Sequence, residues 1–407
     1  MMPKHQPSLA QPAGEGQPRQ PASQGRILVV IPTLHRGGAE RVVSRLSHEW
    51  ARQGYEVTVA VFDSREVAYP IAGPIVALDA PASNNKLVKV WRFTQRIMKL
   101  VKLIKEGKAP HSPHSSYPSH RNHSSQSSHF THLIGFMEYA NFPLILAACL
   151  TGNLGRTRVS VRTSTQFMFG YQKPVMRLLY RLPYKVVAVS QAMKKELMGL
   201  GVPSGKLSVI FNPPPEHQAL PSPFKKNSKI TGKYILAVGR LVKKKGFDML
   251  LTGYARLPSD SPPLVILGEE DKGGKGGGKA NALVTQAKTL GVSQRVHFIG
   301  AVKNPEAYYA HAECFVLSSR FEGMPNTILE AMQYGCPVVS FDCPTGPGEI
   351  IKHGVNGLLV ANGDVAGLTR AMAKVLGDAK LRQRLGKAGR KRMAEFRLDD
   401  IAAQWLE

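Results

Sequence analysis

Two doubly wound, Rossmann-like α/β domains facing each other across a cleft are the fold class this sequence predicts. The first observation behind it is the opening: apolar RILVVIP, a Gly-bearing loop at Gly37-Gly38, an amphipathic helical stretch to Gly54, then apolar YEVTVAVF. An apolar run, a Gly loop, a helix and a second apolar run make the repeating unit of a parallel sheet. The second is that the same order restarts at Tyr234, after the Pro-rich stretch FNPPPEHQALPSPF. The third is Cys314 to Val360, where CFVL, the loop FEGMPN, the helix TILEAMQYG and the strand PVVSF complete another such unit. At 407 residues the chain is long enough for two domains of ordinary size.

Taken in order, residues 1–24 are rich in Pro, Gln and Ser and predict a disordered tail. Residues 25–212 form the first domain. Within it, Asn84 to Lys108 reads as one helix whose apolar face is Val90, Phe93, Ile97, Leu100, Val101 and Ile104. Arg92, Arg96, Lys99 and Lys102 fall on its other side, the pattern of a helix lying on an anionic membrane surface. Residues 108–128 are low-complexity Ser, His and Pro and read as a flexible insert whose histidines nothing holds in place for a metal. Strands THLIGFM, RVSVR and KVVAVS follow, with a second basic set, Lys173, Arg177, Arg181 and Lys185, at every fourth residue beside Met176 and Tyr180. The helix QAMKKELMGL and the strand LSVIF close the domain; 213–229 is the linker. Residues 230–390 form the second domain, and 391–407 a terminal helix returning to the first, with Trp405 as anchor or core.

Lys and Arg number 54 against 28 acids, a net charge of +26. From Ala80 to Lys195 there are eighteen bases and two acids, Glu106 and Glu138. Such a one-sided field draws anions: nucleic acid, anionic lipid head groups or phosphorylated substrates. A nucleic-acid binder is the competing class, but the bases lack aromatic interleaving and any helix-turn-helix or RNA-binding motif, so no nucleic acid is expected as partner. Cys149, Cys314, Cys336 and Cys343 have no CxxC spacing and read as reduced core residues of a cytosolic protein. No run approaches the roughly 20 apolar residues of a membrane span, and no apolar leader is seen, so membrane contact is expected to be peripheral, at the cytoplasmic face.

The chemistry concentrates in the second domain. Glu322 lies in the loop after CFVL and Glu330 about two turns inside the following helix, where free N–H groups at the helix start suit an anion. An acid in the loop can meet sugar hydroxyls, and one on the helix can accept both hydroxyls of a ribose, so the unit suits a nucleotide-linked sugar. Arg240, at the end of strand YILAVG, and Lys245, five residues on, set two cations at the sheet's carboxyl edge, where a diphosphate can be held. Gly273 to Lys279 meets most of a phosphate-cradling P-loop, but Ala280 stands where the magnesium-binding Ser or Thr belongs. No Asp-x-Asp pair suits a metal-diphosphate bridge, which predicts a metal-independent reaction.

These residues also carry a resemblance. FEGMPNTILEA, with a Glu, seven residues and a second Glu, then YGCPVV and the turn Gly346-Pro347-Gly348-Glu349-Ile350, resembles the signature of the family 4 retaining glycosyltransferases, which have the GT-B fold. The likeness spans about residues 25 to 407 without the insert and is most specific from Ser318 to Val360. It implies transfer of a sugar from a nucleotide-sugar, a substrate rather than a cofactor, to a lipid-linked or polysaccharide acceptor. Arg240 and Lys245 would hold the pyrophosphate and Glu322 the donor sugar. Glu330 would take the ribose, and Gly323, Met324, Pro325, Asn326 and Thr327 would meet the sugar or phosphate through their backbone. Gly37 and Gly38 would face the donor from the first domain. Many members carry a His after the strand that here reads VSVRTSTQ; this chain has Arg162, Thr163 and Ser164, and Arg162 would touch acceptor phosphate or support the loop. A sugar-nucleotide epimerase on the same fold would need catalytic acids in the first domain, and that domain is short of them.

Overall fold

A computed structural model describes residues 23–83, 85–107, 129–168, 170, 172–215, 232–270, 279–302 and 304–407. The insert 108–128, the tail up to residue 22, the linker from 216 and the Gly273–Gly278 part of the P-loop-like stretch lie outside these residues.

The first sheet is built from β1 Gly25–Leu34, β2 Tyr55–Val67, β3 Ile75–Ala77, β4 His132–Phe136, β5 Thr157–Val161, β6 Lys185–Ala188 and β7 Leu207–Val209. The second is built from β8 Ile235–Val238, β9 Leu264–Leu267, β10 Val296–Gly300, β11 Cys314–Leu317, β12 Val338–Asp342 and β13 Leu358–Ala361. Their orders are β3-β2-β1-β4-β5-β6-β7 and β10-β9-β8-β11-β12-β13, with every pairing parallel. Ile27 to Ile31 and Leu264 to Leu267 are apolar and buried residue after residue, as strands covered on both faces require. In each sheet the strand order reverses at one place, between β1 and β4 and between β8 and β11, and the crevice beyond that reversal is where open α/β sheets take ligands.

The helices of the first domain are α1 Gly38–Arg52, α2 Lys86–Glu106, α3 Glu138–Leu150, α4 Gln172–Leu179 and α5 Gln191–Gly199. Those that follow are α6 Phe247–Tyr254, α7 Lys279–Thr289, α8 Glu306–His311, α9 Asn326–Gln333, α10 Pro347–Ile350, α11 Val365–Gly377, α12 Ala379–Met393 and α13 Leu398–Gln404. Among the contacts that bind α13 and the residues after it to the first domain, Trp405 stacks on Phe136 at 5.0 Å, the Trp50 indole N–H donates to the Ala402 carbonyl at 3.0 Å, and Arg158 donates to the Leu406 carbonyl at 2.8 Å.

Three expectations are corrected here. Helix α2 forms, capped by the Asn85 side chain and ended by Gly107, but three of the four basic residues expected on its outer side, Arg92, Arg96 and Lys99, turn to carbonyls of their own domain. Arg92 donates to the Pro81 carbonyl at 2.7 Å, Arg96 to Ala80 at 2.7 Å and Lys99 to Leu78 at 2.6 Å. These long cationic side chains satisfy carbonyls of the chain leaving β3. The helix is rotated accordingly: Leu100, Leu103 and Ile104 are buried, while Val90, assigned to the core face, is 68% exposed beside Leu87, Trp91 and Met98. Lys102 stays outside, paired loosely with Glu106 at 3.9 Å. The second basic set is broken: α4 ends at Leu179, Arg181 donates to Gly201 and Lys185, on β6, to Gly205, leaving Lys173 half-buried and Arg177 exposed on the helix. Finally, Cys149 is exposed at the end of α3, while Cys314, Cys336 and Cys343 are buried.

Candidate functional site

Lys245 reaches Glu322 across the second crevice. The stretch Lys243–Lys245 makes one turn, and Gly246 follows at φ 64, the left-handed region, with no room for a Cβ against the Ser318 carbonyl. That close approach ties the loop after β8 to the end of β11. Lys245 Nζ then donates to Glu322 Oε1 at 2.6 Å, Ser319 Oγ donates to the same oxygen at 2.7 Å, and Lys244 Nζ lies 3.9 Å from Oε2. Burial pushes the Glu322 carboxyl up, but Lys245, Lys244 and Ser319 outweigh it and hold it below its ordinary value. Burial pushes the Lys244 ammonium down, with Glu322 opposing and Lys245 and Arg240 adding to the fall. Arg240 is thus within electrostatic reach of both Lys244 and, from the first domain, Glu40.

The loop Gly323–Thr327 leads into α9 and presses on the first domain. A Cβ on Gly323 would run into the Arg162 carbonyl oxygen. Met324 is buried, and its sulfur accepts the Asn212 N–H at 3.0 Å. Pro325 is the residue before the helix, and Asn326 Nδ2 donates to the Gly38 carbonyl at 3.0 Å. The Thr327 hydroxyl is buried without a hydrogen-bond partner, an unmet polar group at the start of a helix. Glu330, one face further in, accepts the Tyr309 hydroxyl on Oε2 at 2.9 Å and the Arg41 guanidinium on Oε1, with Arg45 Nη2 4.0 Å away.

On the first domain, Gly37 precedes α1 and Gly38 opens it. Arg162, half-buried at the end of β5, donates to Asn212 Oδ1 at 2.7 Å; Asn212 in turn donates to Asn326 Oδ1 at 2.6 Å. Arg162 is therefore linked through Asn212 to the loop before α9, and burial lowers its guanidinium to about 10. Two acids that sequence reasoning passed over flank it. Glu40 is pushed up by burial, against the pull of Arg240 and Arg162. Glu138, at the start of α3, is pushed up by burial to about 7, and its Oε1 has no hydrogen-bond partner. Also unforeseen is Glu349, whose carboxylate accepts the N–H of Gln191 at 2.7 Å and of Ala192 at 2.9 Å, capping α5 from the other domain. The signal for Glu40 and Arg41 lay in the string GGAER at a helix start; for Tyr309 the sequence offers none.

Two crevices lined by cations and paired acids, closed on each other by loop contacts, define a two-domain α/β protein with an anion-suited cleft between its domains. Glycosyltransferase Family 4 matches residues 36–214 and the glycosyl transferases of group 1 match 221–392, so both domains are accounted for and the chain belongs to the family 4 glycosyltransferases. The amylovoran biosynthesis glycosyltransferase AmsD of Erwinia amylovora is 24% identical over 93% of this chain and 98% of its own. An N-acetylgalactosaminyltransferase of Campylobacter jejuni, whose name gives a diphospho-undecaprenol acceptor, is 34% identical over 43% of this chain and 46% of its own. Of the first three curated relatives, the chain spans only 24%, 60% and 48% of their lengths. HepE of Anabaena, crystallised with UDP and glucose, shares the fold at a TM-score of 0.75 with 17% identity, over 94% of this chain and 98% of that one. The lipopolysaccharide outer core galactosyltransferase WaaB shares it at 0.66 with 21% identity, over 93% and 97%. The GT-B architecture expected from the motifs is the one observed.

Proposed function

We propose that the chain is a retaining, metal-independent glycosyltransferase that moves a hexose from a nucleotide-sugar, a UDP-sugar first, to a lipid-linked or polysaccharide acceptor in cell-surface glycan biosynthesis. The observation that carries the reading is the direct contact of Lys245 with Glu322 beside the unpartnered Thr327 hydroxyl, at the crevice of the second sheet. The donor diphosphate lies against Arg240, Lys245 and the N–H groups of Gly323 to Thr327. Glu322 orients the sugar, Glu330 accepts the ribose hydroxyls, and Gly37 and Gly38 close over the phosphates. As the bond from the anomeric carbon to phosphate breaks, its electron pair passes to the diphosphate, and the two cations stabilise that growing charge. The acceptor hydroxyl forms the new bond on the same face and loses its proton to the departing phosphate oxygen, so the anomeric configuration is kept without an enzymic nucleophile. Names of relatives that use undecaprenol-linked acceptors or build lipopolysaccharide support a membrane-borne acceptor.

The first domain meets that membrane peripherally, at the cytoplasmic face. No helix among the described residues is long and apolar enough to cross it. The contact surface is the outward ridge of α2, Leu87, Val90, Trp91 and Met98, with the exposed Lys89, Lys102 and Lys105 at its flanks. A panel of UDP- and GDP-sugars, screened for thermal stabilisation and then for hydrolysis by the wild type and Glu322→Ala, tests the donor site. A bound donor raises the melting temperature, and the variant loses turnover; if no nucleotide stabilises the protein, the reading fails. Buried Glu40 and Glu138 favour one second reading, a sugar-nucleotide epimerase, which would return an epimerised nucleotide-sugar and release no free diphosphate.

A further inference from the structure

Glu330 belongs to the second domain, yet the groups that hold its carboxylate come from both. Arg41, on α1 of the first domain, donates to Oε1; Tyr309, on α8 of the second, donates to Oε2 at 2.9 Å. The carboxylate is 4% exposed as a residue, and a buried charge is costly unless a cation is paired with it. Arg41 is that cation, since Arg45 stays 4.0 Å off. The Arg41 guanidinium is fixed in its turn: it packs over the Tyr69 ring at 5.2 Å, with the Tyr69 hydroxyl 3.4 Å from Nη2.

A carboxylate offers about four acceptor positions, two on each oxygen. Arg41 takes one on Oε1 and Tyr309 one on Oε2, which leaves one on each oxygen. That remainder matches the two donors of a vicinal diol. We propose that Arg41 is a positioning residue for the nucleotide: from across the cleft it holds the Glu330 carboxylate turned so that both of its oxygens meet the ribose 2′- and 3′-hydroxyls. The inference rests on the assignment of Glu330 to the ribose. It makes ribose recognition a property of the closed pair of domains, since half of the scaffold of the ribose site sits on the other domain.

Discrimination between UDP and 2′-deoxy-UDP reads this directly, by calorimetry on the full chain. The wild type prefers UDP by on the order of tenfold or more, the loss expected when one hydrogen bond to a charged acceptor goes unmade. Arg41→Gln weakens UDP by a similar factor, weakens 2′-deoxy-UDP less and so compresses the ratio; Arg41→Lys restores part of it, and Tyr309→Phe shifts it in the same direction by less. If Arg41→Gln weakens both nucleotides equally, the residue is merely structural and the proposal falls. If it leaves UDP unchanged or binds it tighter, Arg41 is a bystander or a competitor of ribose, and the proposal falls as well. A Glu330→Gln variant that keeps the full preference refutes the ribose assignment itself, whatever Arg41 does. Should the wild type bind GDP instead, GDP and 2′-deoxy-GDP replace the pair; binding of neither refutes the donor site.

Discussion

Lys245 and Glu322, 77 residues apart in the chain, meet at 2.6 Å in a recess where the carboxylate is almost wholly screened from water. Breaking a buried pair from one side leaves the other charge uncompensated. Lys245→Ala therefore lowers stability by about 3 kcal/mol, with Lys244, 3.9 Å away, limiting the loss. Glu322→Gln, which keeps a partner for Ser319, costs less. Thermal melts of the two variants decide the order. Because the Glu322 carboxyl sits below its ordinary value of 4.5, the stability it contributes is present above that pH and is lost as pH falls through its lowered native value. The gap between wild type and Lys245→Ala consequently closes on acidification.

Glu138 has the opposite sign. Burial raises its carboxyl from 4.5 to about 7, against its own N–H, the Arg162 N–H and the Arg162 charge; Tyr180 is the other titratable group facing it. The native state thus binds the proton more tightly than the unfolded chain, and stability falls as pH rises between 4.5 and about 7. The loss above that window is on the order of 3 kcal/mol. Glu138→Gln has the shape of the protonated acid and no charge to bury. Melts should give near-equal stability at about pH 5 and a more stable variant at about pH 8; a variant that gains nothing at the higher pH contradicts the shift.

How much of this was legible depends on whether the information is local. The strands and the two crevices could be read because buried parallel strands are apolar without interruption, and because Gly37-Gly38 and the Glu322–Glu330 spacing mark loops at helix starts. The Arg41–Glu330 pair, 289 residues apart, could not, since it exists only once the two domains meet. The face of α2 was misread for a related reason. Apolar spacing by threes and fours finds a face, but the carbonyls of residues 78–82 draw Arg92, Arg96 and Lys99 inward, and no periodicity records that neighbour. Glu138 looked like a stray acid in a basic stretch; its burial at the carboxyl end of β4 follows from packing alone.

The Glu349 cap links the domains through two amides at the start of α5. A carboxylate on helix N–H groups is favourable both as hydrogen-bond acceptor and against the helix dipole. Glu349→Ala removes about 1 kcal/mol or somewhat more. Its distinguishing sign is local: hydrogen exchange at Gln191 and Ala192 speeds up, while amides in the middle of β1 keep their rates. Unchanged exchange at those two amides would mean the domains part easily without this contact.

For the membrane, the structure moves the weight from charge to apolar surface. Arg92, Arg96 and Lys99 are spent on carbonyls of their own domain, so changing all three to Gln should lower the melting temperature and leave vesicle binding largely intact. Leu87 is 82% exposed, Val90 68%, Trp91 59% and Met98 60%, and Tyr139, beside Arg96, extends the patch. Losing the insertion of one large side chain costs about 2 kcal/mol, or roughly thirtyfold in the partition constant. Trp91→Asn should therefore lose most binding to phosphatidylcholine vesicles containing phosphatidylglycerol, with little change in melting temperature, because Trp91 is mostly exposed. Added salt should weaken the wild type only in part, since the flanking lysines are screened and the apolar contact is not. If instead the Gln triple variant leaves the vesicles and Trp91→Asn stays, the basic face opens outward on the membrane and the ridge is not the contact.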